Sequence, residues 1–313
     1  MMAKALVTGI NGFAGTHLNN LLQQKDYEVF GTVKPSGDTP ADSHLFSVDI
    51  QDFEGVKRVI EEVAPDHIYH LAALTSPAES FKNPSDTITT NISGQLNILE
   101  AVKQLQLLET KVLVVSSAEV YGKTEEHDLP MNEHTPLRPL SPYAVSKIAQ
   151  DFLGYQYSHS QNVKSIIVRP FNNIGPNQGP IFVVPSFARQ IAEIEKGKKE
   201  PVMKVGNLEA KRDFTDVRDV VRAYELLMQK GESGEVYNIG SGKSYRIQEI
   251  LDIFLSFSEA KIIIEKDPAL MRPGDIPELR CDYKKLYDTT GWKPEISLET
   301  TLKDTLDYWR NIV

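Results

Sequence analysis

The sequence predicts an α/β fold: a doubly wound parallel sheet, followed by a smaller, interleaved C-terminal α/β substrate domain. Three observations support this prediction. Short apolar segments typical of buried strands alternate with helix-like segments through about the first 170 residues. A glycine-rich turn directly follows the first strand-like segment. After about residue 170 the alternation loosens, which indicates a change of architecture.

The elements of the first part follow from their apolar patterns. Strands are predicted at 4–8, 27–33, 44–49, 67–73, 112–117 and 165–170. Helices are predicted at about 13–25, 53–63, 87–108 and 143–159. The second of these helices has the clearest spacing, with Val56, Val59, Ile60 and Val63 on one face. Strands joined through helices pair in parallel, so we expect helices on both faces of the sheet.

The second part mixes loops with shorter elements. A loop follows Pro170, and we expect a helix at 183–197, a strand at 202–205 and a Pro-rich loop at 267–279. Segment 235–242 regains strand character and is predicted to return to the main sheet. The predicted dinucleotide-binding domain therefore covers 1–170 plus about 215–245, and the substrate domain covers about 171–214 and 246–313.

Composition excludes several classes of protein. The chain has 313 residues and a formal net charge of −9, which argues against a nucleic-acid partner because such proteins carry a basic surface. No apolar stretch approaches the roughly 20 residues that a membrane helix needs, and we see no signal peptide. A single cysteine, Cys281, excludes an internal disulfide. We expect a cytoplasmic protein with no membrane partner.

The turn TGINGFAG predicts a dinucleotide site of the Rossmann type. Gly9, Gly12 and Gly15 lie between the first strand and the first helix, with Asn11 and Phe13 in the same turn. Glycines let the backbone approach a pyrophosphate, and the N–H groups at the helix start attract its charge. A plain glycine-rich turn is the alternative, but the position between strand and helix favours a cofactor.

The choice between NAD and NADP depends on the end of the second strand. An acid that binds the ribose is expected there, about 20 residues after the glycines. Instead the chain has Lys34 and no acid before residue 38. A cation could hold a 2′-phosphate, which favours NADP(H) and leaves NAD(H) open. Asp49 and Ile50, after the third strand, are candidates to line the adenine.

The segment SPYAVSK carries the proton chemistry. Tyr143 and Lys147 are four residues apart, so on a helix they share one face. A nearby ammonium group is expected to lower the tyrosine pKa and can hold a nicotinamide ribose. An isolated Tyr–Lys pair usually belongs to an ordinary amphipathic helix. Its combination with the glycine turn and with SSAEVYG at 116–122 favours catalysis.

These motifs resemble those of the extended short-chain dehydrogenases/reductases that act on nucleotide sugars. The resemblance rests on TGINGFAG, HLAA at 70–73, SSAEVYG, SPYAVSK and RPFNNIGP at 169–176, and covers almost the whole chain. The GDP-mannose branch is the most similar, on the segments VGNLEAKRDFTDVRD, YNIGSG and RPGDIPEL. That branch contains GDP-mannose 4,6-dehydratases and GDP-4-keto-6-deoxy-D-mannose reductases.

The resemblance implies a catalytic set. Ser117 would hydrogen-bond the sugar C4 oxygen, Tyr143 would transfer the proton, and Lys147 would hold the ribose. Glu119 occupies the position at which the dehydratases keep a base for the C5 proton. The HLAA motif implies cofactor contacts from Leu71, Ala72 and Ala73. Substrate contacts are expected from Thr75, Asn172, Arg189, Lys204, Arg212 and Arg272. No metal is expected, because His67 and His70 lack a third ligand at suitable spacing.

A reductase fits the residues better than a dehydratase. Ala118, beside Glu119, cannot protonate a departing hydroxyl, and the chain lacks the insertions and the Arg-rich cofactor segment that the dehydratases carry. We predict NAD(P)H-dependent reduction of the C4 ketone of GDP-4-keto-6-deoxy-D-mannose to GDP-D-rhamnose. GDP-mannose 4,6-dehydratase, and UDP- or dTDP-sugar 4-epimerase or dehydratase, stay open, as does a binding protein without catalysis. The resemblance also implies a homodimer formed through helices 87–108 and 143–159.

Overall fold

The computed structural model describes residues 2–35, 42–271 and 276–313. Its strands are β1 (Lys4–Thr8), β2 (Glu28–Val33), β3 (Leu45–Ser47), β4 (His67–His70), β5 (Lys111–Val115), β6 (Lys164–Pro170), β7 (Asn172–Ile174), β8 (Val202–Val205), β9 (Lys211–Asp216), β10 (Val236–Ile239), β11 (Ser244–Arg246) and β12 (Ile263–Lys266). Its α-helices are α1 (Phe13–Gln24), α2 (Phe53–Val63), α3 (Pro77–Lys82), α4 (Pro84–Gln104), α5 (Pro142–Gln161), α6 (Val183–Glu195), α7 (Val217–Lys230), α8 (Ile247–Ser256), α9 (Lys284–Thr290) and α10 (Leu298–Ile312).

The main sheet has seven strands in the order β10-β6-β5-β4-β1-β2-β3. Every neighbouring pair in it is parallel. The strand order reverses between β1 and β4, so their carboxyl ends open a crevice in which ligands of such sheets bind. This architecture confirms the predicted fold class.

Helices cover both faces of this sheet and enclose two separate cores. Consecutive residues of β4 point into opposite cores: Ile68 packs into the core under α2 and α4, and Tyr69 into the core under α1 and α7. This alternation is the period of two that a strand imposes on its side chains. Both residues are fully buried, which explains why the strands read as continuous apolar runs.

The second part of the chain forms a smaller α/β unit. Helices α6, α8 and α10 pack around a third core that includes Phe187, Phe254 and Leu302. A three-stranded sheet, β11-β9-β7, and a two-stranded sheet, β12-β8, complete this unit. The chain returns to the main sheet at β10, which pairs with β6. The exact domain boundaries proposed from the sequence stay a prediction.

Two helices of this fold differ from their predicted bounds for local reasons. Helix α4 begins at Pro84, because a proline without an N–H is tolerated in the first turn of a helix, and it ends at Gln104. The preceding segment forms a separate short helix, α3, which starts where the Ser76 hydroxyl accepts the Glu79 N–H at 3.2 Å. Helix α5 starts at Pro142 in the same way, after the Ser141 cap.

Candidate active site

The glycine turn lies at the carboxyl edge of the sheet, between β1 and α1. Gly9 has a φ of +69°, and a Cβ there would lie 3.1 Å from the Cα of Ala72. A Cβ at Gly15 would lie 2.3 Å from the Gly9 carbonyl oxygen. Side chains at these positions would strain the backbone or collide with it. Glycine at these two positions therefore allows the backbone of the turn to pack tightly at the start of α1.

A cavity opens beside this turn, and we call it the glycine-side cavity. It collects residues from the ends of β1, β4, β5 and β6 and from α5. Among the residues that line it are Gly9, Gly12, Phe13, Gly15, Leu71, Ala73, Thr75, Ser117, Glu119, Tyr143, Lys147 and Asn172. The structure thus brings all four predicted catalytic residues into one cavity with most of the glycine turn.

A second cavity lies on the side of the smaller unit, and we call it the arginine-side cavity. Its walls come from α6, β9 and the loop after β8, and they include Lys204 and Arg212. Among the residues that the structure describes, five line both cavities and define the junction between them: Glu119, Asn172, Asn173, Gln178 and Phe182. A ligand bound across the junction would touch residues from both parts of the chain.

Helix α5 positions the tyrosine and the lysine. Both side chains are buried, with 7% of Tyr143 and 3% of Lys147 exposed. The Lys147 ammonium donates to the Val115 carbonyl oxygen at 2.8 Å and lies 5.8 Å from the centre of the Tyr143 ring. The carbonyl oxygen at the end of β5 therefore holds the Lys147 ammonium, and Lys147 lies one helical turn after Tyr143.

The electrostatics of this pair differ from the sequence prediction. Burial raises the pKa of Tyr143 above its ordinary value, the Ser117 hydrogen bond lowers it in part, and the Glu119 charge raises it further. Burial also lowers the pKa of Lys147 to about 7. The sequence predicts that Lys147 lowers the pKa of Tyr143, whereas burial of the phenol raises it. The phenol keeps its proton at neutral pH and can give it to a developing alkoxide.

The short turn after β5 brings both Ala118 and Glu119 to the glycine-side cavity. The Glu119 N–H donates to the Ser117 hydroxyl at 3.2 Å, and the Glu119 side chain is half-buried at the junction. Ala118 is 2% exposed and packs in an apolar cluster with Tyr121 and Phe171. Of the two side chains, Glu119 is the one that carries an ionisable group into the cavities.

Thr8 and His70 support the cavity from beneath, and sequence reasoning assigned them no role in the site. The Thr8 hydroxyl oxygen accepts the N–H groups of Leu71 and Ala72, both at 3.1 Å, and lies 2.8 Å from His70 Nδ1. Burial and, to a smaller extent, the Lys147 charge lower the pKa of His70 to about 3. Tyr224, from α7, also lines the glycine-side cavity, although nothing in its local sequence marks it.

Two cations of the arginine-side cavity occupy different environments. Arg212 on β9 is 8% exposed and donates to the Ile276 carbonyl oxygen at 2.6 Å. Lys204 is exposed, and its ammonium lies 3.8 Å from Asp267. Arg212 is therefore held by the backbone of a neighbouring segment, whereas Lys204 is exposed beside an acidic partner.

The structure does not bring Arg189 into this group. Its guanidinium donates to Glu193 at 2.7 Å and lies 5.8 Å from the Trp309 ring, on an exposed part of α6. Arg272 lies outside the described residues.

The residues predicted for the adenosine end lie along the neighbouring strands. Gly9 donates its N–H to the Thr32 carbonyl oxygen at 3.0 Å, and Lys34 is exposed two residues beyond Thr32. Asp49 is exposed and accepts the Gln51 N–H, and Asn11 is exposed in the glycine turn.

Ile50, the other residue predicted to line the adenine, packs against a helix. It is buried, and it packs so closely against α4 that a Cβ at Gly94 would lie 2.6 Å from its Cδ1.

The described residues contain no cluster of three or more side chains arranged to hold a metal ion. Over the same described ranges, no helix has the length and apolar character needed to cross a membrane.

The parallel sheet, the glycine turn and the buried pair Tyr143 and Lys147 define the class of short-chain dehydrogenases/reductases. Within that class the chain belongs to the family described as GDP-mannose 4,6 dehydratase, whose model matches residues 6–305. The predicted family resemblance is thereby confirmed.

Individual proteins of known name are also similar to this chain. The chain is 36% identical to the GDP-6-deoxy-D-mannose reductase of Pseudomonas aeruginosa, over 100% of this chain and 99% of the relative. It is 30% identical to a GDP-mannose 4,6-dehydratase of Vibrio cholerae, over 96% of this chain and 91% of the relative. Its fold matches the structure of RMD from Pseudomonas aeruginosa complexed with NADPH, with a TM-score of 0.88, 34% identity and full coverage of both chains.

Proposed function

We propose that the protein reduces the C4 ketone of GDP-4-keto-6-deoxy-D-mannose with NADPH and releases GDP-D-rhamnose. The observation that carries the proposal is the buried phenol of Tyr143 beside Ser117, in a cavity that shares a wall with an arginine-lined one. The similarity to a reductase over the whole chain supports the same reaction.

The residues around the glycine turn fit a nicotinamide dinucleotide. The backbone at Gly9 and Gly15 is packed too tightly for any side chain, which leaves the N–H groups at the start of α1 for a pyrophosphate. Lys147 can hold the nicotinamide ribose, and Lys34 can hold the 2′-phosphate that distinguishes NADP(H) from NAD(H). When bound, this cofactor supplies the hydride.

Cationic side chains of the arginine-side cavity suit the diphosphate of a nucleotide sugar. A guanidinium such as that of Arg212 matches the geometry of phosphate oxygens, and the Lys204 ammonium adds a mobile charge. Arg272 belongs to the same proposal through the family resemblance, although it lies outside the described residues. The hexose would then occupy the junction, beside Glu119 and Asn172.

The chemistry falls to three side chains of the glycine-side cavity. Ser117 hydrogen-bonds the C4 carbonyl oxygen and orients the ketone. Tyr143 donates its phenolic proton to that oxygen as carbon C4 accepts the hydride, so the ketone becomes a secondary alcohol. Lys147 holds the ribose beside the phenol, and Thr75 lines the same cavity as a further hydroxyl contact. The phenol carries its proton at neutral pH, and burial raises its pKa further.

The dehydratase is the second candidate, and Ala118 is the observation against it. Elimination requires a base for the C5 proton and an acid for the departing C6 hydroxyl. Glu119 could serve as the base, but the neighbouring Ala118 offers no proton and packs in an apolar cluster. In the proposed reductase Glu119 binds a hydroxyl of the sugar instead.

The reaction is tested by supplying NADPH together with GDP-4-keto-6-deoxy-D-mannose. We expect one NADPH to be oxidised for each ketone reduced. The absorbance of the reduced nicotinamide measures this oxidation. A parallel sample receives GDP-mannose alone, and UDP- and dTDP-sugars serve as specificity controls. Turnover of GDP-mannose without net change in NADPH would identify a dehydratase and reject the proposed reductase.

We also propose that the protein forms a homodimer through α4 and α5. Four large apolar side chains are exposed on these two helices: Leu96, Val145, Phe152 and Tyr155. Exposed apolar groups concentrated on neighbouring helices favour burial against a partner. Two copies of the pair would form the four-helix bundle that the family resemblance implies.

The remaining proposals concern partners and location. A GDP-sugar and a second copy of the chain are the partners we propose, and the net charge of −9 argues against nucleic acid. A cytoplasmic location is supported by the cysteine content, since the single Cys281 is buried as a free thiol.

A further inference from the structure

Gln178 lies in the loop that joins the two parts of the molecule. The loop follows β7 and is held by hydrogen bonds from both parts of the molecule. The Pro176 carbonyl oxygen accepts a hydrogen bond from His17 of α1 at 2.9 Å, and Asn177 accepts one from the Tyr308 hydroxyl of α10 at 3.0 Å. These contacts hold Gln178 in place between the cofactor helix α1 and the smaller unit.

The side chain of Gln178 is buried, with 6% exposed, and it lines both cavities. Its Nε2 donates to the Asn173 carbonyl oxygen at 3.0 Å. If the amide were flipped, its oxygen would face the Asn173 carbonyl oxygen, and two acceptors cannot form a hydrogen bond. This bond therefore identifies Oε1 as the amide atom that faces away from Asn173. Among the described residues, the remaining atom, Oε1, has no hydrogen-bond partner.

An acceptor that is buried without a donor is costly, and native structures keep few of them. Here a second such acceptor, Asn172 Oδ1, belongs to the same junction. Two neutral acceptors that lack donors form a site for a ligand rich in O–H groups rather than for an anion. The hydroxyl groups of a hexose have this character.

We infer that Gln178 determines specificity for the sugar: its Oε1 accepts a hydrogen bond from a hydroxyl of the hexose at the junction. This inference rests on the proposed function, because it takes the ligand to be a nucleotide sugar. The amide N–H₂ of a nicotinamide is a competing donor. We favour the hexose because Gln178 also lines the arginine-side cavity, away from the glycine turn.

The test compares Gln178→Leu with a control on the same loop. Leucine has a similar volume but removes the acceptor. The control, Asn177→Gly, removes the contact to Tyr308, and glycine suits the φ of +72° at that position. Titration calorimetry would measure the affinity of each variant for GDP-mannose, GDP and NADPH. We expect Gln178→Leu to weaken GDP-mannose roughly tenfold and to leave GDP and NADPH within about twofold.

Each outcome decides the inference. If Gln178→Leu loses affinity for GDP and for GDP-mannose equally, Gln178 is only a structural residue of the loop and the inference is rejected. The same conclusion follows if Asn177→Gly shows the same selective loss of affinity for GDP-mannose. A loss confined to NADPH would assign the amide to the cofactor. If the wild type oxidises no NADPH but Gln178→Leu still loses GDP-mannose selectively, the proposed reductase fails and this inference stands. If GDP-mannose does not bind, the titrations are repeated with UDP-glucose and UDP. If neither nucleotide sugar binds the wild type, the inference is overturned.

Discussion

At the scale of single residues, burial decides the protonation of the site. Tyr143 and Lys147 are both removed from water at the wall of one cavity, and burial disfavours the charged form of each. The phenol therefore keeps its proton, and the ammonium loses its proton more easily than in water. A reductase uses this state directly, since its tyrosine must give a proton and not take one.

The buried ammonium should cost stability in a pH-dependent way. The pKa of Lys147 is lowered to about 7 in the folded protein, against about 10.4 for an unperturbed lysine. Between these values the unfolded chain binds one more proton, so stability rises with pH. We expect Lys147→Met to raise the free energy of unfolding at pH 7 or below by about a few kcal/mol, the order of magnitude that corresponds to the lowered pKa of Lys147. This gain should shrink towards pH 10.

Urea unfolding without nucleotides, at several pH values, measures this gain. Lys34→Met serves as the control, because Lys34 is exposed and its replacement should change stability little at any pH. A gain for Lys147→Met that stayed the same from pH 6 to pH 10 would contradict the assigned desolvation.

At the scale of elements, α5 is the part that organises the site. Its residues Tyr143, Lys147 and Asp151 follow one another at intervals of one turn. Asp151 accepts a hydrogen bond from Arg169 of β6 at 2.8 Å and one from the Ser116 hydroxyl at 3.3 Å, all buried. This ion pair locks the helix to the sheet, so the phenol and the ammonium stay in register with the end of β5.

The elements also show how far the sequence predicts the site. The glycine turn, the helix with Tyr143 and Lys147, and the turn with Glu119 are local motifs, and the structure gathers them in one cavity. Arg189 was expected to contact the substrate, but α6 turns its apolar face, including Phe187 and Ile191, into the core. That orientation leaves Arg189 on an exposed face, and it could not be read before the partner helices were known.

Residues that act across long sequence separations were the ones that sequence reasoning missed. Tyr224 lines the glycine-side cavity only because α7 packs on the same face of the sheet as α1. Gln178 reaches the junction because its loop is tied to α1 and α10. Neither contact leaves a local pattern, whereas the strands of the main sheet do, through their apolar runs.

At the scale of the whole molecule, interleaving creates the two adjoining cavities. The chain leaves the main sheet after β6, builds much of the smaller unit, and returns at β10. The junction residues Asn172 and Gln178 lie at the point of departure, so both cavities share them. In the proposed function, the substrate is held by its diphosphate in the arginine-side cavity and reduced in the glycine-side cavity.

The proposed dimer is tested at this scale with one charged substitution. Phe152→Glu places a carboxylate in the exposed apolar face of α5, where 58% of Phe152 is accessible in the single chain. We expect the wild type to show twice the chain mass by light scattering, and the variant to show the mass of one chain, because burying an unpaired charge is costly.

Ile263→Glu is the matched control, since Ile263 is 60% exposed on β12, outside the proposed interface. It should leave the mass of the dimer unchanged. A wild-type mass equal to that of one chain, or a Phe152→Glu variant that stays dimeric, would reject this interface.

The most direct test of the central claim is single-turnover reduction by Tyr143→Phe. The phenylalanine ring fills the same buried space but has no proton to give. We expect the rate of NADPH oxidation with the 4-keto sugar to fall by about 100- to 10,000-fold, while NADPH affinity stays within about twofold. A Tyr143→Phe variant that reduced the ketone at close to the wild-type rate would show that another group supplies the proton.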